Sequence, residues 1–420
     1  MAIGGRVARM PGLSTRIRSA VAELPGVYWT LWVGTIVNRL GGFVLPFLAF
    51  YLTGERGLSK GVAGVVMSLY GVGSLLAASI GGVLADRIGR RPTLLMGLCG
   101  GGAAMLGLGF AHSVTEIGAM AFVVGLLGDL YRPAVMATVA DVVPPDKRRL
   151  AYGYLYWAIN LGFAGGSFIA GFVARLSYFA LFVADAATTL VYAGIVWRLV
   201  PETRPKAAPA SERSGPPQGL VHVLRDPVFM PFIVLCMLMG LIFMQHLVAM
   251  PIAMAGNGLT ESTYGAVIAL NGVLIVLFQP AATRATAGVR RSRALAVSCV
   301  LTGIGFGMYA GTTTAWGYAL GVFVWTLGEI ASAPVSSAIV ADLAPAHLRG
   351  RYQGVYSMAW SVGSLVGPVG GAFIMEHAGE RALWLGCLGL GVVAAVGNLV
   401  IAPARRRRLA ALRSEGQSRP

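Results

Sequence analysis

Twelve apolar stretches recur along this chain and constrain its fold more than any other feature. Each has about 18 residues or more, enough for an α-helix to cross a hydrocarbon core of roughly 30 Å. Only 12% of the residues are charged, whereas soluble domains carry about 25%. The sequence therefore predicts an all-α integral membrane protein. The predicted spans cover residues 27–52, 61–85, 93–111, 115–140, 151–175, 178–199, 228–255, 263–283, 294–312, 315–341, 353–375 and 382–403.

The positive charges are sorted between the two ends of these spans. The net charge is +16, and 27 of the 33 Lys and Arg residues lie in the termini or in the even-numbered loops. The odd-numbered loops hold only Arg56, Lys60, Arg175 and Arg381. The positive-inside rule then places both termini in the cytoplasm of a multi-pass protein of the cell membrane. Membrane topology therefore explains the net positive charge. We do not expect nucleic acid as a partner.

The sequence lacks the signals that identify several other classes of protein. Cys99, Cys236, Cys299 and Cys387 lie in different apolar stretches, which predicts buried small side chains rather than a disulfide or metal framework. Residues 1–25 lack the apolar core of a cleavable signal peptide. We find no Walker sequence, metal cluster or nucleophile with an adjacent base. We therefore expect no enzyme, no cofactor and no metal.

A segment rich in proline and charge, Pro201–Pro217, separates two halves of the chain. The halves carry matching residues at a constant offset of 201, so that Pro133, Asp141 and Gly162 correspond to Pro334, Asp342 and Gly363. This match predicts homologous repeats. The predicted regions are a cytoplasmic N-terminal segment (1–26), an N-terminal six-helix bundle (27–200), a cytoplasmic linker (201–227), a C-terminal six-helix bundle (228–403) and a basic cytoplasmic tail (404–420).

A charged loop joins the second and third spans. Gly89 offers the left-handed backbone conformation that reverses a chain within a few residues. The spacing G-x-x-x-D-R-x-G-R-R resembles the loop signature of the major facilitator superfamily of secondary transporters. This resemblance, which extends over about residues 27–403, implies two pseudo-symmetric six-helix bundles with a substrate site between them near the bilayer midplane. The loop residues that carry it are Gly82, Asp86, Arg87, Gly89, Arg90 and Arg91.

Two glycine motifs extend the resemblance. Gly363, Gly367 and Pro368 in the eleventh span are similar to an antiporter signature of the superfamily, and Gly162 and Gly166 repeat its small face in the fifth span. In the fifth span a serine stands where drug and proton antiporters usually carry proline. Small residues at this spacing allow a tight helix crossing. The stretches around 38–41 and 270–280 are also similar to twelve-helix drug:proton antiporters of the multidrug efflux branch.

The resemblance implies a gate on the cytoplasmic side. In the superfamily the acid of the loop signature caps the N-terminus of the eleventh span in the outward-facing form, where helix dipole and charge act together. By this resemblance we expect Asp86 to be the cap and Arg87, Arg90 and Asp141 to form the surrounding charge cluster. The alternative, a positive-inside anchor only, explains the arginines but not Asp86 or Gly89.

Five charged residues lie within the apolar spans: Arg39, Asp129, Arg132, Asp185 and Glu329. Each costs on the order of 2.5 to 3.5 kcal/mol there, so such residues face a bundle interior or a wet cavity and have partners. Glu329 has no cation within a helical turn and is the predicted protonation site; the alternative is a static buried acid. Asp129 either pairs locally with Arg132 or bridges to Arg39, and Asp185 either joins the proton site or only pins the sixth span.

Further candidates surround these charges. Histidine in water titrates near neutral pH, which makes His246 a candidate for a proton relay, although a lone histidine is also a common helix contact. Aromatic walls and a few amides suit a lipophilic cation. The predicted substrate-cavity residues are Asn38, Tyr131, Asn160, Trp157, Phe243, Gln245, Asn271, Trp325 and Trp360.

The sequence favours a monomeric secondary transporter that uses proton entry to export lipophilic drugs or toxins, whether cationic or neutral, by alternating access. Its expected partners are a small-molecule substrate, protons and the lipid bilayer. Protonation of Glu329 or Asp129 would weaken an ion pair in the cavity and let the halves rock. Two alternatives stay open: a proton-coupled importer of a sugar, organic acid or peptide, which would predict a polar cavity, and a membrane receptor or scaffold that does not transport.

Overall fold

A computed structural model describes residues 23–417 except 43, 145, 205–222, 288 and 345–348. Within these residues, twelve helices are long and apolar enough to cross a membrane, which confirms the predicted all-α fold. We number them span 1 to span 12. Their bounds are Gly26–Gly41 continued by Val44–Phe50 and Tyr51–Glu55, Lys60–Arg87, Arg90–Phe110, Val114–Gly128 continued by Tyr131–Val142, Arg148–Leu176, Tyr178–Leu199, Phe229–Phe243 continued by Met244–His246 and Ala249–Gly256, Glu261–Ala287, Arg291–Gly307, Ala315–Leu343, Arg349–His377 and Glu380–Val400.

A further helix, Ala402–Gln417, follows span 12 and is called the C-terminal helix. It covers most of the predicted basic tail. Most of the predicted N-terminal segment and much of the linker lie outside the described residues. Several spans extend beyond their predicted ends, because polar residues such as Arg148 at the start of span 5 continue the helix past the apolar stretch.

Spans 1, 4 and 7 are each interrupted near their middle, and a proline follows every interruption. Pro46, Pro133 and Pro251 each stand at the third position of the second helical piece. A proline ring lacks the N–H for the helical hydrogen bond and clashes with the carbonyl four residues earlier. The steric effect therefore falls on Gly42, Asp129 and Leu247, where the helices break. These breaks place irregular backbone at the centre of each half.

The two halves, spans 1–6 and spans 7–12, meet through small residues that repeat at the offset of 201. A Cβ added to Gly64 in span 2 would lie 2.7 Å from the Cβ of Ala372 in span 11. The equivalent glycine in span 8, Gly265, lies against Gly171 of span 5, with a distance of 3.1 Å from its built Cβ to the Gly171 Cα. The pairs of spans 2 and 11 and spans 5 and 8 are thus related by the pseudo-symmetry of the repeat.

The apolar core shows on which side the halves are joined. The largest cluster of buried side chains unites Phe47 and Met67 of the first half with Met254 and Tyr264 of the second. Two further clusters stay within single halves: one surrounds Tyr28, Leu94 and Val139, and the other surrounds Phe229, Leu295 and Tyr352. The halves therefore pack together on the side away from the linker and separate toward the side that carries the linker, which we call the linker side.

Polar contacts reinforce the closed side. The Tyr178 hydroxyl donates to Glu261 Oε1 at 3.0 Å, and the backbone N–H of Gly61 donates to Glu376 Oε2 at 2.8 Å. Lys60 forms an ion pair of 3.5 Å with Glu380. Each of these bonds crosses from the first half to the second, so the side opposite the linker is closed by hydrogen bonds as well as by packing.

Candidate functional site

Three neighbouring pockets lie among the spans: one within each half and one between the halves. They have several lining residues in common. The central pocket lies between spans 2, 4 and 11, where Ser74, Asp129 and Arg132 of the first half face Trp360 and Ser364 of the second. The first-half pocket also contains Asp129 and Arg132, and the second-half pocket also contains Trp360. Asp129, Arg132 and Trp360 therefore connect the interior of each half to the space between them.

Glu329 lies in the second-half pocket with an aromatic wall around it. Its carboxylate accepts a hydrogen bond of 2.7 Å from Asn271 Nδ2, which also donates to the Thr326 hydroxyl at 3.0 Å. Phe243 and Trp360 line the same pocket, with ring centroids 6.0 Å apart at nearly a right angle. Within the described part of the chain, no Lys, Arg or His forms an ion pair with Glu329.

Asp129 lies at the break in span 4 and has a full set of partners. Arg132 Nη2 pairs with Asp129 Oδ1 at 2.9 Å, and the hydroxyls of Tyr70 and Ser74 both donate to Oδ2. Among the ion pairs of the described residues, Asp129 forms the local pair and no bridge joins it to Arg39. Arg132 on the same helix and two hydroxyls from span 2 already satisfy this carboxylate.

The two acids occupy related places in the repeat. Tyr70, which donates to Asp129, and Asn271, which donates to Glu329, stand 201 positions apart, and the acids match after a one-residue shift. Both donors lie on the second span of their half and both acids on the fourth. Of these two acids, only Asp129 has an arginine partner among the described residues. The repeat thus preserves the carboxylate and its hydrogen bond but not the countercharge.

Asp185 holds the break in span 1. Its buried carboxylate accepts hydrogen bonds from the Thr189 hydroxyl and from the backbone N–H of Val44, the first residue of the helical piece after the break. The network continues through Asn38, which donates to Thr189 at 2.9 Å and accepts from the Tyr131 hydroxyl at 2.8 Å. Asp185 therefore makes the contacts expected of a residue that pins span 6, here to span 1.

Arg39 lines the same first-half pocket as Asn38, Tyr131 and Asp185. Its Nε is buried without a hydrogen-bond partner. Arg39 thus shares this pocket with Asp129 and Asp185 and forms no ion pair with either among the described contacts.

His246, Gln245 and Trp325 support the second-half pocket from behind. His246 lies in the tight turn at the break in span 7, with its ring against Phe243 and Trp325. Gln245 donates to the carbonyl of Gly367 at 3.0 Å and so ties span 7 to span 11. Trp325 is fully buried. The structure places these three side chains outside the pocket lining, in contrast to the cavity role predicted for Gln245 and Trp325.

Asn160 and Trp157 lie on span 5, away from Glu329. The buried Asn160 donates to the carbonyl of Tyr156 on its own helix, and its own carbonyl lies 2.6 Å from a Cβ built on Gly272 of span 8. Trp157 is exposed and packs on Tyr154. Neither residue lines the three pockets, because span 5 turns this segment toward span 8 and toward the surface.

The predicted packing glycines lie at repeated helix crossings. A Cβ on Gly162 or Gly166 of span 5 would lie within 2.7 Å of Arg39 atoms in span 1. In the second half, Gly363 and Gly367 of span 11 lie against Gly240 and Met244 of span 7. Pro368 stands inside span 11 without an interruption of the helix, and its carbonyl lies against Gly64.

The loop between spans 2 and 3 forms a charge cluster on the linker side. Arg90 pairs with Asp141 at 2.9 Å and with Asp86 at 2.6 Å. Gly89 has φ +113° and ψ 163°, an extended conformation of positive φ that glycine adopts without strain, in place of the predicted left-handed one. The Asp86 side chain is 74% exposed and contacts Arg90, so its predicted cap on span 11 stays a prediction for the opposite conformation. The other loop residues lie nearby: Gly82 in the last turns of span 2, Arg87 at its end, and Arg91 donating to the Trp197 carbonyl.

Sequence reasoning missed Glu202, which closes this cluster. Its carboxylate accepts from the backbone N–H groups of Arg90 at 2.9 Å and Arg91 at 3.2 Å, and so caps the start of span 3. Partial burial alone would raise its pKa, but the backbone N–H donors of Arg204, Arg90 and Arg91 hold the pKa below its ordinary value. The available signal was the run Pro201-Glu-Thr-Arg204 directly after span 6, an acid followed by a base at the boundary of a bundle.

Twelve spans in two repeated halves, with pockets between them and one side closed, define the architecture of a secondary transporter. The chain belongs to the Major Facilitator Superfamily, whose family model matches residues 31–256 and 246–419. This confirms the family predicted from the loop signature. The protein is therefore a membrane transporter rather than an enzyme.

Individual relatives are distant but extend over most of the chain. A Na(+), Li(+), K(+)/H(+) antiporter of Planococcus maritimus is 26% identical over 365 residues, which cover 79% of this chain and 85% of that protein. The multidrug resistance protein MdtH of Aeromonas salmonicida is 23% identical over 368 residues, covering 87% and 92%. A peptide transporter POT, solved in complex with sulfate, shares the fold with TM-score 0.77 and 18% identity over 93% of this chain and 99% of that one.

Proposed function

We propose that this protein is a proton-coupled antiporter that exports lipophilic cations across the cell membrane by alternating access. The observation that carries the proposal is the setting of Glu329, a carboxylate without an ion-pair partner among the described residues, in a pocket walled by Phe243 and Trp360. A carboxylate beside aromatic faces attracts a cation through charge and through the ring quadrupoles.

Exchange follows from competition for this carboxylate. A proton on Glu329 removes the negative charge that a cationic substrate needs, and a bound cation opposes protonation. Entry of one proton therefore accompanies release of one cation. This exchange of single positive charges moves no net charge across the membrane, so the proton concentration gradient drives it and the membrane potential does not. The presence of a cation/proton antiporter and a multidrug resistance protein among the relatives supports this direction of coupling.

Asp129 takes a different role in this proposal. Its charge is already matched by Arg132, which faces the central pocket. Protonation of Asp129 would free Arg132 and place a positive charge between the halves, where it repels a cationic substrate. We infer that Asp129 and Arg132 set the charge of the central space and that Glu329 binds the transported cation.

The conformation fits the start of an export cycle. The halves pack on the side opposite the linker through contacts such as Gly64 with Ala372. With the linker and termini in the cytoplasm, as the positive-inside rule requires, the central pocket opens toward the cytoplasm. Transport then requires the Arg90 cluster to join the halves on the linker side while the opposite contacts part.

Proteoliposomes with an acidic interior test the proposal, because outward proton flow should drive accumulation of tetraphenylphosphonium at a clamped membrane potential. We expect Glu329→Gln to lower this accumulation at least about tenfold. Substrate exchange at equal pH should be lost as well, because the neutral side chain lacks the charge that binds the cation. Glu23→Gln, the same change at an exposed position outside the spans, is the matched control.

The results separate the alternatives. Unchanged gradient-driven accumulation in Glu329→Gln would contradict the assignment of this residue. Accumulation of a dipeptide or sugar when the gradient is reversed, with the exterior acidic, would favour the proton-coupled importer alternative. Binding of the cation without flux in the parent protein would identify a receptor.

A further inference from the structure

A second concentration of charge lies away from the transport pockets, on the linker side of the second half. A pocket between the start of span 9, the end of span 10 and the C-terminal helix is lined by five arginines and a single acid, Asp342. We call it the arginine pocket. Its arginines are Arg290, Arg291, Arg293, Arg405 and Arg406.

The protein supplies too few anions for these cations. Arg291 already pairs with Asp342, the acid of the pocket. Arg290, Arg293 and Arg406 are exposed and have no ion-pair partner among the described side chains. A group of like charges held within one pocket is unfavourable unless an anion is present to neutralise it.

Arg405 is the most informative of the five. It is only 3% exposed, yet its guanidinium donates to neutral oxygen atoms: the Asn398 carbonyl at 2.8 Å, the Asn398 side chain at 3.3 Å and the Ser292 hydroxyl at 3.2 Å. Its Cζ also lies 5.3 Å from the Phe232 ring centroid. These contacts fix the C-terminal helix against spans 7, 9 and 12, and they leave a buried cation without a carboxylate among the described residues.

One wall of the pocket, which we call the aliphatic wall, is formed by Ile339, Leu343, Leu399 and Leu409. Spans 9, 10 and 12 all begin or end at this level, so the pocket lies where the hydrocarbon core gives way to headgroups. The positive end of the span 9 dipole, at Arg291, adds to the attraction for an anion. An isolated phosphate ion would contact only the arginines, whereas a phospholipid contacts the arginines through its headgroup and the aliphatic wall through its chains.

We propose that the arginine pocket binds the phosphate of an anionic phospholipid headgroup, with the aliphatic wall against the first carbons of its chains. The exposed Arg290, Arg293 and Arg406 contact the phosphate and glycerol oxygens. Arg405 is a positioning residue that holds the C-terminal helix as one wall of the site. The bound lipid neutralises the cluster and links spans 9 and 10 to the C-terminal helix.

Binding of short-chain phosphatidylglycerol to the purified full-length protein in a zwitterionic detergent tests this inference independently of transport. Each arginine beside an anionic headgroup contributes roughly fivefold to binding. The double variant Arg290→Gln with Arg293→Gln should therefore bind about 30-fold more weakly. The control double variant, Arg198→Gln with Arg225→Gln, removes two exposed linker-side arginines outside the pocket and should bind as the parent does.

The single variant Arg406→Gln, with an expected loss of about fivefold, serves if the double variant does not fold. Phosphatidylcholine of the same chain length should bind at least about tenfold more weakly than phosphatidylglycerol. Equal binding of the two lipids, or an equal loss in the control double variant, would overturn the proposal. Displacement of phosphatidylglycerol by equimolar inorganic phosphate would identify a free-anion site and would overturn the lipid assignment.

Discussion

Arg291 forms an ion pair with Asp342 at the positions 201 residues after Arg90 and Asp141, which pair in the first half. In each half this pair joins the start of the third span to the end of the fourth. The two pairs differ in exposure: the Arg90 side chain is 10% exposed and that of Arg291 is 44% exposed. Burial makes the loss of one partner costly, whereas an exposed ion pair contributes little.

Replacement of Arg90 by Gln should therefore destabilise the protein by about 3 kcal/mol, because it leaves Asp141 shielded and unpaired. Arg291→Gln, the repeat-related control measured without anionic lipid, should cost at most about 1 kcal/mol. Thermal unfolding in one detergent measures both. The double variant Arg90→Gln with Asp141→Asn should recover part of the loss. Equal effects of the two single variants would contradict the burial argument.

Replacement of Asn271 by Leu should impair coupling more than binding. It removes the 2.7 Å hydrogen bond to Glu329, and a hydrogen bond to a charged group contributes about 1.5 to 3 kcal/mol. We expect gradient-driven accumulation to fall about tenfold or more, while exchange at equal pH persists. Equal loss of both activities would indicate that Asn271 acts only on folding or binding, and the yield of monodisperse protein distinguishes those two.

Replacement of Gly265 by Leu should oppose closure of the side away from the linker. Its built Cβ lies 2.5 Å from the Ser167 carbonyl, and overpacking of this kind costs about 1 to 3 kcal/mol. Hydrogen exchange should rise in residues 160–176 and 261–272. Gly194→Leu, at a position where a Cβ meets nothing within 4 Å, is the control. Unchanged exchange in Gly265→Leu would refute the closed-side assignment.

The Glu202 cap should make stability depend on pH. The folded protein holds the pKa of this carboxyl below its ordinary value, so the cap stabilises the fold fully above the unfolded pKa of about 4.3 and is lost as pH falls through the folded pKa. Below about pH 4.5, the parent should lose thermal stability more steeply than Glu202→Gln, which lacks the charge throughout. If the thermal stability of Glu202→Gln falls with pH as steeply as that of the parent and of the control Glu23→Gln, the cap is excluded.

Local features of the sequence determined much of this structure. The length of the apolar stretches determined the twelve spans. In hydrocarbon the backbone N–H and C=O groups must be hydrogen-bonded within the segment itself, and an α-helix achieves this. The pair of Arg291 with Asp342 could have been read from the pair of Arg90 with Asp141, because the offset of 201 relates both partners. The breaks at Gly42 and Asp129 could also have been read from Pro46 and Pro133, since proline acts on the carbonyl four residues before it.

Tertiary structure decided which side chains share a partner. Asp129 takes Arg132 rather than Arg39, and Glu202 reaches the start of span 3 from the far end of span 6. Pro368 leaves span 11 unbroken, although other prolines interrupt their helices. Helix rotation and crossing set these outcomes, because they determine which faces of distant segments meet. A sequence period gives the face of one helix, but the neighbour that satisfies a buried charge depends on how all twelve helices pack.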